Sequence, residues 1–526
     1  MIYDFADLSP TSDLVWTPCF DNFTCALLEL PLDYSDTEAG TTAVAFIKKS
    51  STNPDAEDVL FNPGGPGGSG VDLILSSSDV AEAKLGPNFN LVSWDPRGVN
   101  NSGPNLSCFP DSPIGQNIFD SEVFVAVDNS TEFSLAESYQ RSGMFGQWCT
   151  PVLGANSTVK YANTVATAQD MLRYVELRAK SLGRPPAEAK LWYYGISYGT
   201  VLGATFATLF PDRIGRIILD VVVDTEDYYV GGWSTAVYGT DASARYFFRS
   251  CFEAGPELCA FHQNATSPEE LEQRYFAIVE SLKESPIAVA DPSFGSSFLP
   301  TLVTWQDLST LFFSLLYFPV PYYPLIDLGL TYLEQGNATY IGLATIKAQL
   351  LVPQPYSSAE PRTIISCLDA AGRFNVTDYD KYEAYIGGMF NRSFYGAPTI
   401  SAIVGAPCRS LDIAPPTSQI FEGKPGANKT SAPILFIGNT LDPVTPLRSA
   451  KKVASTFAGS SVLTLDAAGH TSIGMASDCV DQSIKAYMNN LTLPAANTIC
   501  KPDQIPFVNQ ASEGAARLAK RSFPAM

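Results

Sequence analysis

A serine, an aspartate and a histidine in this chain stand where acyl-transfer chemistry needs them. Ser197 lies in Gly195-Ile196-Ser197-Tyr198-Gly199, directly after the apolar run Leu191–Tyr194. A strand that turns sharply into a helix holds its turn residue strained and exposed above the sheet, and flanking glycines spare the neighbouring strand and helix a collision. That makes Ser197 a candidate nucleophile. A serine hydroxyl reacts poorly at neutral pH until a base takes its proton, and histidine, with an unperturbed pKa of about 6.5, is the usual base. The whole chain has two histidines. His262 sits beside Cys259 and a glycosylation sequon at Asn264, a surface setting, whereas His470 follows the strand-like run Val462–Leu465. Asp442 ends another such run, which begins at Pro433. Ser197, Asp442 and His470 are thus each expected at the carboxyl end of a strand. There Ser197 Oγ would attack an acyl carbon, His470 would take and return the proton, and Asp442 would fix the imidazole tautomer. Two histidines are too few for a histidine-built metal site, and no cofactor is expected.

The tetrahedral oxyanion of such a reaction needs preorganised donors. One is expected from the backbone N–H of Tyr198, the residue after the nucleophile. The second is expected from Asn62-Pro63-Gly64-Gly65-Pro66-Gly67-Gly68-Ser69-Gly70, which holds five glycines and two prolines in nine residues and follows the strand pattern Val59–Phe61. Bare backbone there can approach a substrate, with Gly65 the expected donor. A flexible linker would not be pinned by two prolines after a buried strand, and the Gly-Lys-Ser/Thr ending of a phosphate loop is absent.

The elements that must position these residues alternate. Cys25–Leu30, expected to stop at Pro31, pairs as a hairpin with Thr42–Lys48. Leu91–Trp94 delivers Asp95-Pro96-Arg97-Gly98, whose Asp95 and Arg97 are expected to brace loops rather than to react. Residues 105–160 read as loop-rich. A helix is expected over Thr164–Ala179, with Val165, Ala168, Met171, Leu172 and Val175 at helical spacing, and another over Thr200–Phe210, ended by Pro211. Arg216–Val223 is a further buried strand. This predicts an α/β chain with a doubly wound, mostly parallel, eight-stranded sheet whose site lies at the carboxyl ends of the strands.

Between about 226 and 429 the alternation gives way to aromatic helical segments and proline breaks. Thr304 opens an apolar helix to Leu316, and Tyr317–Pro324 reads as a proline-stiffened aromatic turn. The block fits a mainly helical cap inserted before the strand that carries Asp442, or simply the core of a helical domain. The expected organisation is therefore a first core part over 1–225, the cap over 226–429, and a second core part with a tail over 430–526. A chain of 526 residues is long enough for this.

Composition limits the partners. The chain is 45% hydrophobic and 17% charged, with a formal net charge of −21, so nucleic acid and anionic membrane surfaces would be repelled. No segment approaches the roughly 20 apolar residues of a spanning helix. Ten cysteines fall as if in local pairs: Cys19 with Cys25, Cys108 with Cys149, Cys251 with Cys259, Cys367 with Cys408 and Cys479 with Cys500. Eleven sequons begin at Asn22, Asn100, Asn105, Asn129, Asn156, Asn264, Asn337, Asn375, Asn391, Asn428 and Asn490. Both features predict an oxidising secretory route, although residues 1–7 show no signal peptide.

Leu30-Pro31-Leu32-Asp33-Tyr34, the Gly64–Gly70 loop, Asp95-Pro96-Arg97-Gly98-Val99, the Gly195–Gly199 motif and Asp442-Pro443-Val444-Thr445-Pro446 together resemble the tripeptidyl aminopeptidase and proline iminopeptidase branch of the α/β-hydrolases. The segment through Cys500 is similar to the C-terminal domain of secreted tripeptidyl aminopeptidases. The resemblance implies a secreted, cofactor-free serine exopeptidase acting on free peptide N-termini. Asn62 stands where relatives commonly carry histidine. An aminopeptidase must also hold an ammonium group, and Asp224 and Glu226 are candidates, with a solvated loop as the competing reading. A carboxylesterase or lactonase for a hydrophobic small molecule is the alternative enzyme. A catalytically dead binding protein is the third reading, against which both Ser197 and His470 are retained.

Overall fold

The computed structural model describes residues 1–154, 157–295, 298–345, 350 and 356–509. Ten strands form one sheet: β1 (Thr17–Cys19), β2 (Phe23–Asp33), β3 (Asp36–Lys49), β4 (Asp58–Asn62), β5 (Asn90–Trp94), β6 (Leu191–Ile196), β7 (Ile214–Asp220), β10 (Ile434–Leu441), β11 (Ser461–Ala468) and β12 (Ile499–Cys500), while β8 (Ile287–Val289) and β9 (Thr301–Val303) make a separate antiparallel pair. The order is β1-β2-β3-β5-β4-β6-β7-β10-β11-β12. The eight expected strands are there, and two edge strands of three and two residues extend them. From β5 to β12 every pairing is parallel. The chain leaves β4 for β5 on one side and returns to β6 on the other. This reversal of strand order opens a crevice above the carboxyl ends of β4 and β6, where the glycine loop and the Ser197 turn emerge.

Parallel strands buried on both faces read as apolar runs, and β4 and β5 are buried at every position. One face packs against the helices Gly70–Leu85 and Asp478–Asn490 through Val71, Ile74, Leu85, Ile484 and Tyr487. The other packs against Thr164–Ser181 and Tyr198–Leu209 through Met171, Tyr174, Leu202 and Phe206.

Three local expectations need correction. β2 does not stop at Pro31 but runs on to Asp33, with its register shifting between the two residues, because an irregular position tolerates a residue that cannot donate. Residues 105–160 are not mainly loop. Ser112 caps the helix Pro113–Val123, and the helix Glu132–Gly154 buries Leu135, Phe145, Cys149 and Leu153. The sequence concealed this because few apolar positions recur there at helical spacing and Pro151 lies inside. Nor is Tyr317–Pro324 a turn throughout: a helix runs from Pro319 to Glu334. Pro319 and Pro321 occupy its first turn, where N–H groups have no intrahelical partner, so the prolines start the helix instead of breaking it.

Between β7 and β10 the described chain is helical apart from the β8–β9 pair. Its aromatic core includes Phe247, Phe248, Tyr275, Phe312, Tyr323 and Tyr395. All five disulfides join the cysteines paired above. Ten of the eleven sequon asparagines are exposed, and Asn156 lies outside the described residues.

Asp95 and Arg97 brace the loops that follow β5. Asp95 is fully buried and accepts from Ser69 Oγ (2.6 Å), the Val71 N–H (3.1 Å) and Asn101 Nδ2 (2.8 Å), which ties the glycine loop to the 95–101 turn. Arg97 forks onto Asp170, with Nε and Nη2 both 2.7 Å from its carboxylate, and donates to the carbonyls of Leu32 and Pro31 at 2.6 Å each. Arg97 and Asp170 are both fully buried. Deleting one partner of a buried ion pair leaves an uncompensated charge, so Arg97→Ala should lower stability by about 3–5 kcal/mol in chemical denaturation. A loss under 1 kcal/mol would show that this fork does not brace the fold.

Candidate active site

Ser197 joins β6 to the helix Tyr198–Leu209 with φ 56° and ψ −121°. An L-residue pays a steric cost there, which persists only where the surroundings enforce it. They do so by close packing. A Cβ on Gly195 would lie 2.3 Å from the Gly199 carbonyl oxygen, and one on Gly199 would lie 2.9 Å from the Asn62 carbonyl oxygen. The Ser197 N–H donates to the Asp220 carbonyl (3.0 Å), and its own carbonyl accepts from Thr200 Oγ1 (2.6 Å). Its hydroxyl makes no capping bond to the helix it begins. From Tyr193 to Thr200 every residue is buried except Ser197.

The glycine loop lies against this turn. A Cβ on Gly64 would fall 2.9 Å from Ser197 Cβ and 3.0 Å from the Tyr198 nitrogen, so only glycine allows the approach. Gly64 and Gly65 have φ of 96° and 108°. Gly64 is thus the loop residue in contact with the elbow. A Cβ on Gly65 would instead meet the nitrogens of Gly67 and Gly68, 3.0 Å away.

Asp442 and His470 follow the ends of β10 and β11. His470 Nδ1 stands 2.9 Å from Asp442 Oδ2 and 3.1 Å from Oδ1. The fully buried carboxylate also accepts from the N–H groups of Val444 (2.9 Å) and Thr445 (2.7 Å). Since a carboxylate only accepts, Nδ1 carries the proton of a neutral ring and Nε2 is left as the basic nitrogen. The loop is fixed from two sides. Asn439 Nδ2 donates to the Gly469 carbonyl (2.9 Å), the His470 N–H donates to the Tyr317 carbonyl (2.8 Å), and the Tyr317 ring meets the imidazole edge-on at 4.9 Å between centroids. His262 is elsewhere, stacked on Phe252.

Asp224 and Glu226 are already engaged. Asp224 caps the helix Thr225–Val230 and takes Lys452 Nζ on both oxygens at 2.8 Å, while Glu226 pairs with Lys424 (2.7 Å) and Lys452 (2.9 Å). A substrate ammonium would have to displace a lysine from either.

Two other carboxyl groups, not singled out from the sequence, are unsaturated. Glu360 opens the helix Ala359–Ala370, and Asp120 lies on Pro113–Val123; both are buried. Glu360 Oε2 accepts from the Cys108 N–H (3.0 Å) and Gln116 Nε2 (2.8 Å), yet among the described residues Oε1 has no partner, nor does Asp120 Oδ1. Burial pushes Asp120 up to about 7. Burial, with Asp120 nearby, pushes Glu360 up to about 8. The same helix start touches the glycine loop: Tyr356 OH donates to the Gly67 carbonyl (2.6 Å), and a Cβ on Gly67 would lie 2.9 Å from the Arg362 nitrogen. Glu-Pro-Arg in a proline-rich stretch carries no motif, so only the fold could bring these groups together.

A family model described as "TAP-like protein" matches residues 395–500. The chain has the α/β-hydrolase fold, with a TAP-like segment over those residues. It is similar to serine protease Hip1 of Mycobacterium tuberculosis (strain ATCC 25618 / H37Rv), at 28% identity over 92% of this chain and 90% of that protein. It is also similar to the tripeptidyl aminopeptidase of Streptomyces lividans, at 25% identity over 92% and 84%. Carboxylesterase B of Mycobacterium tuberculosis (strain ATCC 25618 / H37Rv) matches at 25% over 91% and 86%. The chain is a serine hydrolase.

The raised carboxyl groups give a pH signature. The folded protein retains protons on Asp120 and Glu360 that the unfolded chain loses near pH 4, so stability falls as pH rises from there toward 8. Glu360→Gln mimics the protonated form. Its melting temperature relative to the parent should rise between pH 5 and pH 8; an unchanged difference would contradict the buried-acid assignment.

Proposed function

We propose that this serine hydrolase works through a Ser197, Asp442, His470 triad and an acyl-enzyme, as an aminopeptidase releasing residues or tripeptides from peptide N-termini. What supports the reading is the Asp442–His470 hydrogen bond of 2.9 Å, together with the strained, uncapped Ser197 at the end of β6. His470 Nε2 takes the Ser197 proton as Oγ attacks the carbonyl carbon, and Asp442 stabilises the imidazolium that forms. The backbone N–H groups of Tyr198 and of the glycine loop, Gly65 in particular, hold the oxyanion. His470 then returns the proton to the leaving amine, and a water repeats the sequence on the acyl-enzyme.

The 226–429 segment acts as the cap that selects the substrate. Glu360 is better placed than Asp224 and Glu226 to receive an ammonium group, because its Oε1 has no hydrogen-bond partner among the described residues whereas the other two hold lysines; Asp120, beside it, already feels the Arg362 guanidinium. The five disulfides and the exposed sequons favour a glycosylated, secreted protein. The net charge of −21 disfavours nucleic acid and anionic membranes as partners. A small-molecule carboxylesterase is the second reading, favoured by the relative of that name.

Ser197→Ala should lower kcat by about 10⁴-fold or more on tripeptidyl amides while the fold persists. Near-parent turnover would overturn the triad. On the intact enzyme, acetylating the substrate's amino group should abolish hydrolysis. Equal rates with and without acetylation would replace the aminopeptidase reading with the esterase one.

A further inference from the structure

The Tyr198 side chain is tied into a buried polar chain that the proposed chemistry does not itself require. Tyr198, Thr164, Tyr228 and Asp369 are all buried. Asp369, near the end of the helix Ala359–Ala370, accepts from the Thr164 N–H at 2.8 Å through Oδ1. Its Oδ2 accepts from Thr164 Oγ1 at 2.5 Å and from Tyr228 OH at 2.6 Å. Thr164 Oγ1 lies 2.6 Å from Tyr198 OH. The direction of these bonds follows from the inventory of donors. An ionised carboxylate only accepts, so the Thr164 hydroxyl proton is committed to Asp369 and its lone pair is left for the Tyr198 hydroxyl. The chain therefore runs from Tyr198 to Thr164 to Asp369, with one orientation throughout.

Its two ends belong to different parts of the molecule. Tyr198 is the first residue of the helix behind the Ser197 turn, and Thr164 is the first residue of its neighbour on the same sheet face. Asp369 comes from the segment between β7 and β10. The start of its helix also bears on the glycine loop, where a Cβ on Gly67 would lie 3.0 Å from the Ser358 carbonyl oxygen. One helix thus touches the glycine loop and, through Thr164, reaches the side chain of the residue after the serine.

We propose that Asp369, acting through Thr164, is a positioning residue that holds the Tyr198 ring and with it the Tyr198 backbone N–H at the angle the oxyanion requires. This rests on the reading of Tyr198 N–H as an oxyanion donor. The segment that covers the site thereby sets the geometry of the donor beneath it. Because the hydroxyl chain touches no substrate, its loss changes transition-state stabilisation and leaves ground-state binding alone.

The test is a double-mutant cycle of Tyr198→Phe and Thr164→Val, read as kcat and KM on one amide and one acyl ester, with melting temperatures. Each variant should lose about tenfold in kcat on both substrates with KM within about twofold, since small misplacements of donors are costly. The double variant should be no worse than the singles, because both cut one chain. Thr164→Ser, which keeps the hydroxyl, should restore kcat. If Tyr198→Phe, which removes a single oxygen, melts lower yet keeps kcat within twofold, the chain is only structural and the proposal fails. Multiplying losses in the double variant would overturn it too. Full turnover in Ser197→Ala would instead bring down the catalytic reading on which the proposal rests.

Discussion

The strained turn at Ser197 is the constraint on which the rest of this structure depends. A serine at φ 56° is uphill by itself, and nothing local relieves it. What makes the conformation affordable is contact on every side: the β7 carbonyl that receives its N–H, the Gly195 and Gly199 backbones, and the Gly64 turn. At each of these three glycines even a methyl group is excluded. The glycines are therefore not there for flexibility. They let three backbone segments converge on one side chain and leave its hydroxyl free.

Around that turn the fold uses buried carboxylates as struts. Asp95 ties the glycine loop to the turn after β5, Asp170 receives the Arg97 fork, and Asp369 joins the helix Ala359–Ala370 to the helix that begins at Thr164. Asp220 supplies the carbonyl that holds Ser197, and its carboxylate takes Ser472 Oγ (2.7 Å) and Tyr194 OH (2.9 Å), anchoring the loop that follows His470. Burial raises the pKa of Asp95 and Asp369 to about 6 in each case. Protonation in acid turns one accepting oxygen of each into a donor and weakens these ties.

How much of this was legible from residue order depended on how local the cause is. The apolar runs of β4, β5, β6, β7, β10 and β11 state their own burial, and Ser197, Asp442 and His470 each stand directly after one of them. The cysteine pairs were legible because each closes within 41 residues or fewer. The helices at 113–154 were missed because their apolar positions meet a distant segment: Phe145 and Leu153 pack in a cluster with Ile364 and Ile400. The helix at Pro319 was missed because proline reads as a breaker until its place in the first turn is known. Asp224 and Glu226 looked available as carboxylates. That Lys424 and Lys452 lie against them is a long-range fact. Asp120 and Glu360 show the converse, since two unremarkable acids come together only where the helix Pro113–Val123 meets the start of Ala359–Ala370.

Covalent chemistry decides whether the strained turn presents Ser197 as the reacting nucleophile. Treat the native protein with a fluorophosphonate and locate the adduct by peptide mass mapping. One phosphonyl group per chain is expected, on Ser197, and none when the protein is denatured before treatment. An adduct on another serine, or none on the folded protein, would contradict it.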